Sequence, residues 1–267
     1  MHQLPFIHEI DGKPDHVRLD MICKWLEARQ VPFRLHEYAT GTNLIVDLGN
    51  GSKRMGVASH YDRVPASAGA NDNGSAVAVC LDIIERYLAE PEERMGIRVF
   101  FFDEEETGLR GSQAYVREFG VKDLQGVINM ELVGIGDKLA LWPLKDSAAG
   151  TLLSAFESTA AELGFRTARF DKIVTNTADH VSFRQSGLQD CFTVTCVTDR
   201  ELELAGQYFA ALASGASHEV LWGILSQAPI FQHYHQPTDT ADRLSAAPLT
   251  MVADTIWETI LKMQNAL

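Results

Sequence analysis

Histidine and carboxylate residues of the kinds that bind metal ions recur along this chain, several of them directly after short apolar segments. They are His60, Asp72, Glu105, Glu106, Glu131 and His235. Imidazole and carboxylate groups together form a ligand set of intermediate hardness, which suits zinc, cobalt or manganese and argues against copper or an iron–sulfur cluster. Each residue alone is a weak indication, because a single histidine after a strand usually belongs to the core and an acidic run usually lies in a solvated loop.

Three apolar segments explain why these residues would meet. They are the segments 55–59, 97–102 and 126–130. Their continuous apolar character predicts strands that are buried on both faces of a sheet. His60 follows the first segment, the acidic run from Asp103 to Glu106 follows the second, and Glu131 follows the third. Function gathers at the carboxyl ends of strands in open α/β sheets, and several acids at one rim repel one another and require a cation.

Apolar periodicity elsewhere predicts helices between the strands. Helices are expected at 16–29, 75–89, 110–119, 148–163, 201–212 and 248–263, and further strands at 32–38, 43–48 and 191–196. Asp15 is placed to cap the first helix, and Pro248 stands in the first turn of the last. This alternation predicts an α/β fold with one domain over residues 1–267, a central, mostly parallel mixed sheet and helices on both faces. The segment at about 199–232 is expected to be an insertion or lid over the site.

The charge balance excludes two classes of partner. The chain has 23 basic and 36 acidic residues, which give a formal net charge of -13. Such a chain repels nucleic-acid phosphates and anionic lipid surfaces. We therefore expect neither a nucleic-acid partner nor a membrane partner.

Cysteine content and the N-terminus predict a reduced, cytoplasmic protein. The 4 cysteines form neither a disulfide framework nor the close pairs of a structural zinc site. Cys191 and Cys196 would fall on opposite faces of a strand, about 16 Å apart, whereas a disulfide requires Cα atoms within about 7 Å. The first residues lack the pattern of a signal peptide, and there is no run of about 18 apolar residues that could span a membrane.

Six motifs occur in an order that is much more specific than any one of them. They are His60-Tyr61-Asp62, Gly-Ala-Asn-Asp72-Asn-Gly-Ser, Glu105-Glu106-Thr-Gly-Leu-Arg-Gly-Ser, Asn-Met-Glu131-Leu-Val-Gly, Thr-Ala-Asp179-His180-Val-Ser-Phe and Tyr-His235-Gln-Pro-Thr-Asp239. Together they resemble the motifs of the di-zinc aminopeptidase family, which also contains glutamate carboxypeptidases and glutaminyl cyclases. The resemblance runs from about residue 55 to residue 244. It implies the fold of the zinc peptidases, a phosphorylase/hydrolase-like α/β sheet.

The resemblance implies a pair of zinc ions, with cobalt or manganese as the alternative metals. Asp72 would bridge the two ions, and a cis peptide bond is implied between Asp72 and Asn73. The other ligands would be His60 and Glu131 at one ion, and Glu106 and His235 at the second.

Two further carboxylates are implied in catalysis. Glu105 would remain free of metal and act as the general base, which accepts a proton from the attacking water and passes it to the leaving amine. Asp62 stands two residues after His60, where it can accept the second N–H of the imidazole.

Three more residues are expected beyond the metal ligands. The outer-shell or substrate-facing positions are Asp179, His180 and Asp239. For Asp239 we expect either a contact that steadies the loop carrying His235 or a cap on the next turn.

The resemblance implies a peptidase, most directly an aminopeptidase, that acts on peptides or other small amides. Glu131 stands where the family's aminopeptidases more often have Asp, so a carboxypeptidase-like enzyme or a deacylating amidase remains an alternative. A glutaminyl cyclase is disfavoured by Asn73 and Tyr234, where cyclases tend to have Ser and Trp. A binding protein that has lost catalysis would lack a ligand or base, and none is missing. The sequence leaves open the oligomeric state and the side-chain preference, which is expected to depend on the segments 142–147 and 199–232.

Overall fold

Eight strands form one mixed sheet in the computed structural model, which describes residues 3–91, 95–143, 150–170 and 178–265. The strands are β1 Arg34–Glu37, β2 Thr42–Leu48, β3 Arg54–His60, β4 Gly96–Phe102, β5 Leu124–Met130, β6 Lys138–Pro143, β7 Thr167–Arg169 and β8 Cys191–Val197. Their order across the sheet is β1-β2-β4-β3-β5-β8-β6-β7.

The four central strands, β4, β3, β5 and β8, are parallel. Antiparallel pairing joins β1 to β2, β2 to β4 and β6 to β8. The register places His60 opposite Phe102, and Ala58 opposite Asn129. The carboxyl ends of β3, β4 and β5 therefore meet at one edge of the sheet, and the predicted mostly parallel mixed sheet is confirmed.

Side chains of the central strands alternate between two apolar cores. On β4, Ile97, Val99 and Phe101 belong to the first core, whereas Phe100 and Phe102 belong to the second. Because both faces of these strands are covered, both sets of alternating positions are apolar. This explains why the strands have continuous apolar sequences.

Helices cover both faces of the sheet, as predicted. They are α1 Gln3–Ile10, α2 Asp15–Ala28, α3 Ser75–Ala89, α4 Arg110–Phe119, α5 Thr151–Glu162, α6 His180–Gln185, α7 Asp199–Ala213, α8 His218–Leu225, α9 Pro229–His233 and α10 Ala246–Asn265. Helices α1, α2, α3, α5 and α10 contribute to the first core, and α4 and α6 to the second. Helices α7 and α8 form a third, smaller core with β6 and the end of β8.

The bounds of two helices agree with the predictions, and those of the other predicted helices differ from them by one to three residues at their ends. Helices α3 and α4 have the predicted bounds. The prediction that Asp15 caps a helix is wrong, because α2 begins at Asp15 and its N-cap is Pro14. Proline fixes the backbone just before the helix, so the helix begins earlier than a cap at Asp15 would allow. Helix α5 begins at Thr151, and the predicted start at residue 148 lies outside the described residues.

The positions of Cys191 and Cys196 agree with the sequence analysis. Cys191 belongs to the second core and Cys196 to the first, so they lie on opposite faces of β8. Cys23 and Cys80 are likewise free thiols. No described helix is both long enough and apolar enough to cross a membrane.

A buried arginine joins the N-terminal helices to the loop that follows β3. Arg18 on α2 is fully buried, and its guanidinium donates to the carbonyl of Tyr61 at 2.9 Å and to that of Gly69. A longer bond of 3.4 Å reaches the carbonyl of Ile10 at the end of α1. Burial lowers the pKa of Arg18 to about 10, so the side chain remains a cation at neutral pH. The loop between Tyr61 and Gly69, which leads to Asp72, is therefore held at both ends by one side chain.

Replacing Arg18 with Met should lower the free energy of unfolding by about 2 to 4 kcal/mol, because buried carbonyls lose their donors. Urea denaturation followed by circular dichroism measures this change. The control is Lys24→Met on the same helix, where an exposed ion pair with Asp20 contributes at most about 1 kcal/mol. Equal effects of the two substitutions would show that Arg18 does not hold the loop.

Candidate metal centre

The centre of the candidate site is the carboxylate of Asp72. Asp72 lies in the turn Ala70–Gly74 between β3 and α3, is 3% exposed, and is joined to Asn73 by a cis peptide bond. The predicted cis bond is therefore confirmed. Its Oδ1 lies 3.4 Å from Nε2 of His60, and its Oδ2 lies 3.2 Å from Nε2 of His235. One carboxylate thus lies between two imidazoles.

On one side of Asp72, His60 meets Glu131 at the ends of β3 and β5. Nε2 of His60 lies 3.1 Å from Oε2 of Glu131. Two amides hold this carboxylate: Nδ2 of Asn73 donates to Oε2 at 2.7 Å, and Nδ2 of Asn129 donates to Oε1 at 3.0 Å. Glu131, which departs from the family pattern, therefore reaches the imidazole of His60. The two amides fix the orientation of the Glu131 carboxylate.

On the other side of Asp72, His235 meets Glu106. Nε2 of His235 lies 3.0 Å from Oε2 of Glu106. Neither this contact nor the one with Asp72 has the geometry of a hydrogen bond, and the His235 nitrogen has no hydrogen-bond partner among the described residues. His235 has a φ of 59°, and its ring stacks on that of Tyr234 at 3.7 Å. The imidazole is therefore directed between the two carboxylates without bonding to either.

Glu105 also lies beside His60, but at a greater distance from it than Glu131 does. Its Oε2 is 4.0 Å from Nε2 of His60, compared with 3.1 Å for the nearest oxygen of Glu131. Burial raises the pKa of Glu105 well above its usual value, and the neighbouring carboxylates of Glu131, Asp179 and Asp72 act in the same direction. This carboxyl group has the environment of a proton acceptor that can later release the proton.

Asp62 connects His60 to the loop that follows β4. Its Oδ1 accepts the backbone N–H of Glu105, and its Oδ2 accepts that of Glu106, both at 3.1 Å. Nδ1 of His60 lies 3.0 Å from the Asp62 carbonyl and 3.2 Å from Oδ1. Asp62 therefore lies where the sequence placed it, and it also fixes the peptide that positions Glu105 and Glu106.

Asp239 holds the loop of Asp72. Its Oδ1 accepts the backbone N–H of Asn71 at 2.9 Å, and its Oδ2 accepts that of Asp72 at 3.0 Å. Its own N–H donates to the carbonyl of Gln236, which closes the turn after His235. Asp239 thus joins the loop of Asp72 to the loop of His235. We had expected a contact within the His235 loop or a cap on the next turn, and not a contact with the Asp72 loop.

Asp179 and His180 stand at the start of α6 and are both buried. Among the described residues, neither oxygen of Asp179 has a hydrogen-bond partner, and burial raises its pKa to about 8. Nδ1 of His180 lies 2.7 Å from Oγ1 of Thr193. Their motif begins at Thr177, outside the described residues, and their expected outer-shell or substrate-facing role stays a prediction.

The electrostatics of the cluster fit a bound cation. Burial raises the pKa of Glu106 and of Glu131, and each lies beside the charge of Asp72. Although burial by itself would lower it, the surrounding carboxylates raise the pKa of His60 well above its usual value, and they raise that of His235 to about 9. Buried atoms without hydrogen bonds remain on Asp72, Glu106 and His235. Nitrogen and carboxylate donors in this arrangement fit a divalent ion of the zinc class.

The ligand atoms are close enough to be shared by one ion or divided between two. One atom each of His60, Asp72 and Glu106 lies within 4.8 Å of the others. A cavity of about 190 Å³ opens beside them and is lined by Trp142 and by parts of α7, α8 and α9. Both segments that we expected to form the specificity pocket contribute residues to this cavity, and their role in specificity stays a prediction. Residues 144–147 lie outside the described residues.

Sequence reasoning missed three residues that position the site. Asn129 stands two residues before Glu131, and strand alternation could have indicated that both face the same side. Asn73 belongs to the Asp72 motif but had no predicted contact. Arg18 lies outside every motif, and the sequence has no local feature that pairs it with Gly69.

Comparisons with known proteins agree with this geometry. The family model described as Peptidase family M28 matches residues 43–260. Aminopeptidase YwaD from Bacillus subtilis is 28% identical over 206 residues, which cover 75% of this chain and 39% of that protein. The chain spans less than half the length of the curated relatives it matches.

Solved structures share the fold. BSAP, a zinc aminopeptidase from Bacillus subtilis, has a TM-score of 0.66 at 23% identity, and the match covers 84% of this chain and 50% of that one. The glutaminyl cyclase of Porphyromonas gingivalis has a TM-score of 0.70 at 23% identity, with 98% of this chain and 94% of that one covered. At these identities the likeness shows the fold alone.

Replacing Asp62 with Asn should lower the affinity for zinc by roughly 10- to 100-fold, the usual effect of losing a group that orients ligands. The amide would set an N–H donor against a backbone N–H of the loop and would weaken the acceptor beside His60. Competition with a chromophoric chelator measures the affinity. The control is Asp20→Asn, an exposed carboxylate on α2. Wild-type affinity in the Asp62 variant would show that the loop is positioned by other contacts.

Proposed function

Because the chain belongs to peptidase family M28, we propose that it is a zinc-dependent aminopeptidase that removes N-terminal residues from peptides. The observation that supports this most directly is the position of Asp72, whose two oxygens face two different histidines at 3.4 and 3.2 Å. That arrangement is the one required of a carboxylate that bridges two metal ions.

The two halves of the site would each hold one zinc ion. His60 and Glu131 would bind the first, Glu106 and His235 the second, and Asp72 both. Two zinc ions in such a site polarise a carbonyl group and make water a nucleophile near neutral pH.

Glu105 supplies the proton transfers. It lies next to the ligands but at a greater distance from His60 than Glu131 does, so its carboxylate is available to the attacking water. It accepts the proton of that water and donates it to the amine that leaves when the C–N bond breaks.

Asp62 keeps His60 in the orientation that the site requires. When Nδ1–H of His60 donates to Asp62, Nε2 is left as a lone pair directed at Asp72 and Glu131. The same carboxylate holds the peptide N–H groups of Glu105 and Glu106. Asp62 thereby positions His60 and Glu106, one ligand from each half of the site, relative to the base Glu105.

The charges around the cavity favour a substrate with a free amino group. Among the described residues that line it, the acidic ones are Asp72, Glu105, Glu131 and Glu201, and there is no lysine or arginine. A carboxypeptidase requires a cation to bind the terminal carboxylate of its substrate. An ammonium group, in contrast, is attracted by the carboxylate of Glu105, which lines the cavity beside the metal ligands but is not one of them.

A glutaminyl cyclase is the second candidate, because the chain matches the Porphyromonas gingivalis cyclase over 94% of that protein's length. The number of zinc ions that the site holds separates the two functions. A cyclase of the kind that works with one zinc would not require two complete halves around Asp72, whereas the dinuclear peptidase requires both.

Hydrolysis of free-amine and N-acetylated dipeptides by the zinc-loaded protein tests the proposal. We expect cleavage of the free-amine substrate only. Cleavage of the acetylated substrate would establish an amidase or carboxypeptidase-like enzyme instead. Ring closure of an N-terminal glutamine without hydrolysis of other substrates would establish a cyclase.

Glu105→Gln should lower kcat by roughly 100- to 10,000-fold, because the amide cannot accept the proton. Zinc content should stay at the wild-type value. The control is the adjacent Glu104→Gln, whose carboxylate bonds to Thr40 and Arg110 on the outer side of the loop and should leave kcat near wild type. An active Glu105 variant would remove this residue from the mechanism.

His235→Ala should reduce the zinc content by one ion per chain, because it removes the only imidazole in its half of the site. Mass spectrometry of metals in dialysed protein measures the count. His233→Ala removes a neighbouring imidazole that faces Thr238 and should leave the count unchanged. Equal zinc contents in wild type and the His235 variant would contradict the assignment of a second site.

A further inference from the structure

The cavity beside the metal centre extends away from it, over β8 and β6 and beneath α7. Outside the metal cluster, its lining consists largely of apolar side chains, among them Phe170, Val197, Leu204, Leu225 and Phe231. We call this the far part of the cavity. The whole cavity measures about 190 Å³. An apolar protein cavity of about 150 Å³ is large enough to bind benzene, so this one has room for a ring-sized side chain.

Three neighbouring strands place Asn129, Thr193 and Trp142 in one row. Asn129 is opposite Thr193 in the parallel pair of β5 and β8, and Thr193 is opposite Trp142 in the antiparallel pair of β8 and β6. Residues opposite each other in an antiparallel pair point to the same face and lie close together. The indole of Trp142 therefore neighbours Thr193 on the face that lines the cavity.

Hydrogen bonds along this row determine which nitrogen of His180 carries the proton. Nδ2 of Asn129 donates one N–H to Glu131 and the other to Oγ1 of Thr193 at 3.1 Å. Oγ1 of Thr193 also lies 2.7 Å from Nδ1 of His180. Because Oγ1 already accepts from Asn129, we assign the hydroxyl proton to the contact with Nδ1. Burial lowers the pKa of His180 to about 3, so the imidazole is neutral. Its proton is left on Nε2.

Two N–H donors in the cavity lack acceptors. Nε2 of His180 and Nε1 of Trp142 are both buried and have no hydrogen-bond partner among the described residues. His180 is 1% exposed, and both side chains line the cavity. A buried donor without an acceptor is unfavourable, because it has lost its hydrogen bonds with water and gained none in the protein. A ligand that provides an acceptor oxygen would remove that penalty.

Among the described residues, Glu201 is the one charged side chain that lines the cavity outside the metal cluster and Glu105, and its carboxylate is already hydrogen-bonded. Its Oε1 accepts the backbone N–H of Ile230 at 2.9 Å, and Oε2 accepts from both the backbone and the hydroxyl of Thr198. A buried ion without a partner is strongly disfavoured. A lysine or arginine side chain would find no available carboxylate in the far part of the cavity, and an aspartate or glutamate would lie near the acidic metal centre.

We propose that this cavity is a subsite for a neutral, aromatic side chain that ends in an oxygen, with tyrosine as the residue it fits, and that the Nε2–H of His180 and the Nε1–H of Trp142 bind that oxygen. The inference rests on the proposed aminopeptidase function, since the occupant is the side chain of the N-terminal residue. Phenylalanine fills the same space but leaves both donors without an acceptor. A site built to bind a hydroxyl discriminates strongly against the analogue that lacks it.

Hydrolysis of a series of dipeptides tests the subsite, with Tyr, Phe, Leu, Gln, Arg or Glu at the N-terminus. Wild-type kcat/KM should be higher for Tyr than for Phe by roughly tenfold or more. Trp142→Phe removes one donor and keeps a ring, and it should lower the Tyr-to-Phe ratio by roughly three- to tenfold. The matched control is Trp25→Phe on α2, which belongs to the opposite face of the sheet and should leave the ratio unchanged.

Binding of side-chain analogues separates this inference from the proposed function. Ligand-observed NMR with the zinc-loaded protein should show tighter binding of 4-methylphenol than of toluene, and Trp142→Phe should reduce the difference. If this is found but no free-amine peptide is hydrolysed, the subsite stands and the aminopeptidase proposal fails. If peptides are hydrolysed with Phe, Leu, Gln, Arg or Glu at least as good as Tyr, and 4-methylphenol binds no better than toluene, the subsite is overturned and the aminopeptidase proposal stands.

Discussion

A single buried carboxylate between two imidazoles is the constraint on which the rest of the structure depends. Both oxygens of Asp72 can face a histidine only if the backbone on either side of it is fixed. Asp239 fixes the peptide N–H groups of Asn71 and Asp72, and Arg18 fixes the carbonyl of Gly69. These contacts come from chain segments at opposite ends of the sequence. The N-terminal helices and the turn before α10 therefore belong to the site as much as the strands that end there.

Hydrogen bonds also connect the metal centre to the neighbouring cavity. Glu131 is held by Asn129, whose second N–H reaches Thr193, and Thr193 in turn orients His180. The network that aligns a proposed metal ligand is thus the one that orients His180, which is a donor of the proposed subsite. Because the row from Asn129 to Trp142 follows the register of three strands, the sheet itself sets the spacing between the reacting centre and the side-chain subsite.

The sequence predicted the parts of the fold whose physics is local. Continuous apolar runs identified the central strands, and apolar periodicity identified α3 and α4 with their bounds. Strand β6 was missed because it begins with a lysine and ends with a proline, Lys138 and Pro143, which weaken its apolar pattern. Helix α1 was missed because it has only 8 residues and contains Pro5, so its sequence shows no clear helical periodicity. Short helices α6, α8 and α9 are too brief to show a clear periodicity.

The order of the motifs identified the ligand residues, but it did not predict which other residues hold them in position. The partner of Asp239 is the loop of Asp72, which lies 167 residues away in the chain, and no spacing rule predicts such a contact. The pairing of Arg18 with the Tyr61 and Gly69 carbonyls is equally non-local. In contrast, the sequence was sufficient to predict that Asn129 lies beside Glu131, because residues two apart in a strand face the same side.

Diffraction from zinc-soaked crystals at the zinc absorption edge tests the central claim most directly. Two anomalous peaks, about 3.5 to 4 Å apart on either side of the Asp72 carboxylate, are expected from a two-metal site. The first should lie against His60 and Glu131, and the second against Glu106 and His235. A single peak under saturating zinc, or peaks that do not share Asp72, would contradict the dinuclear site.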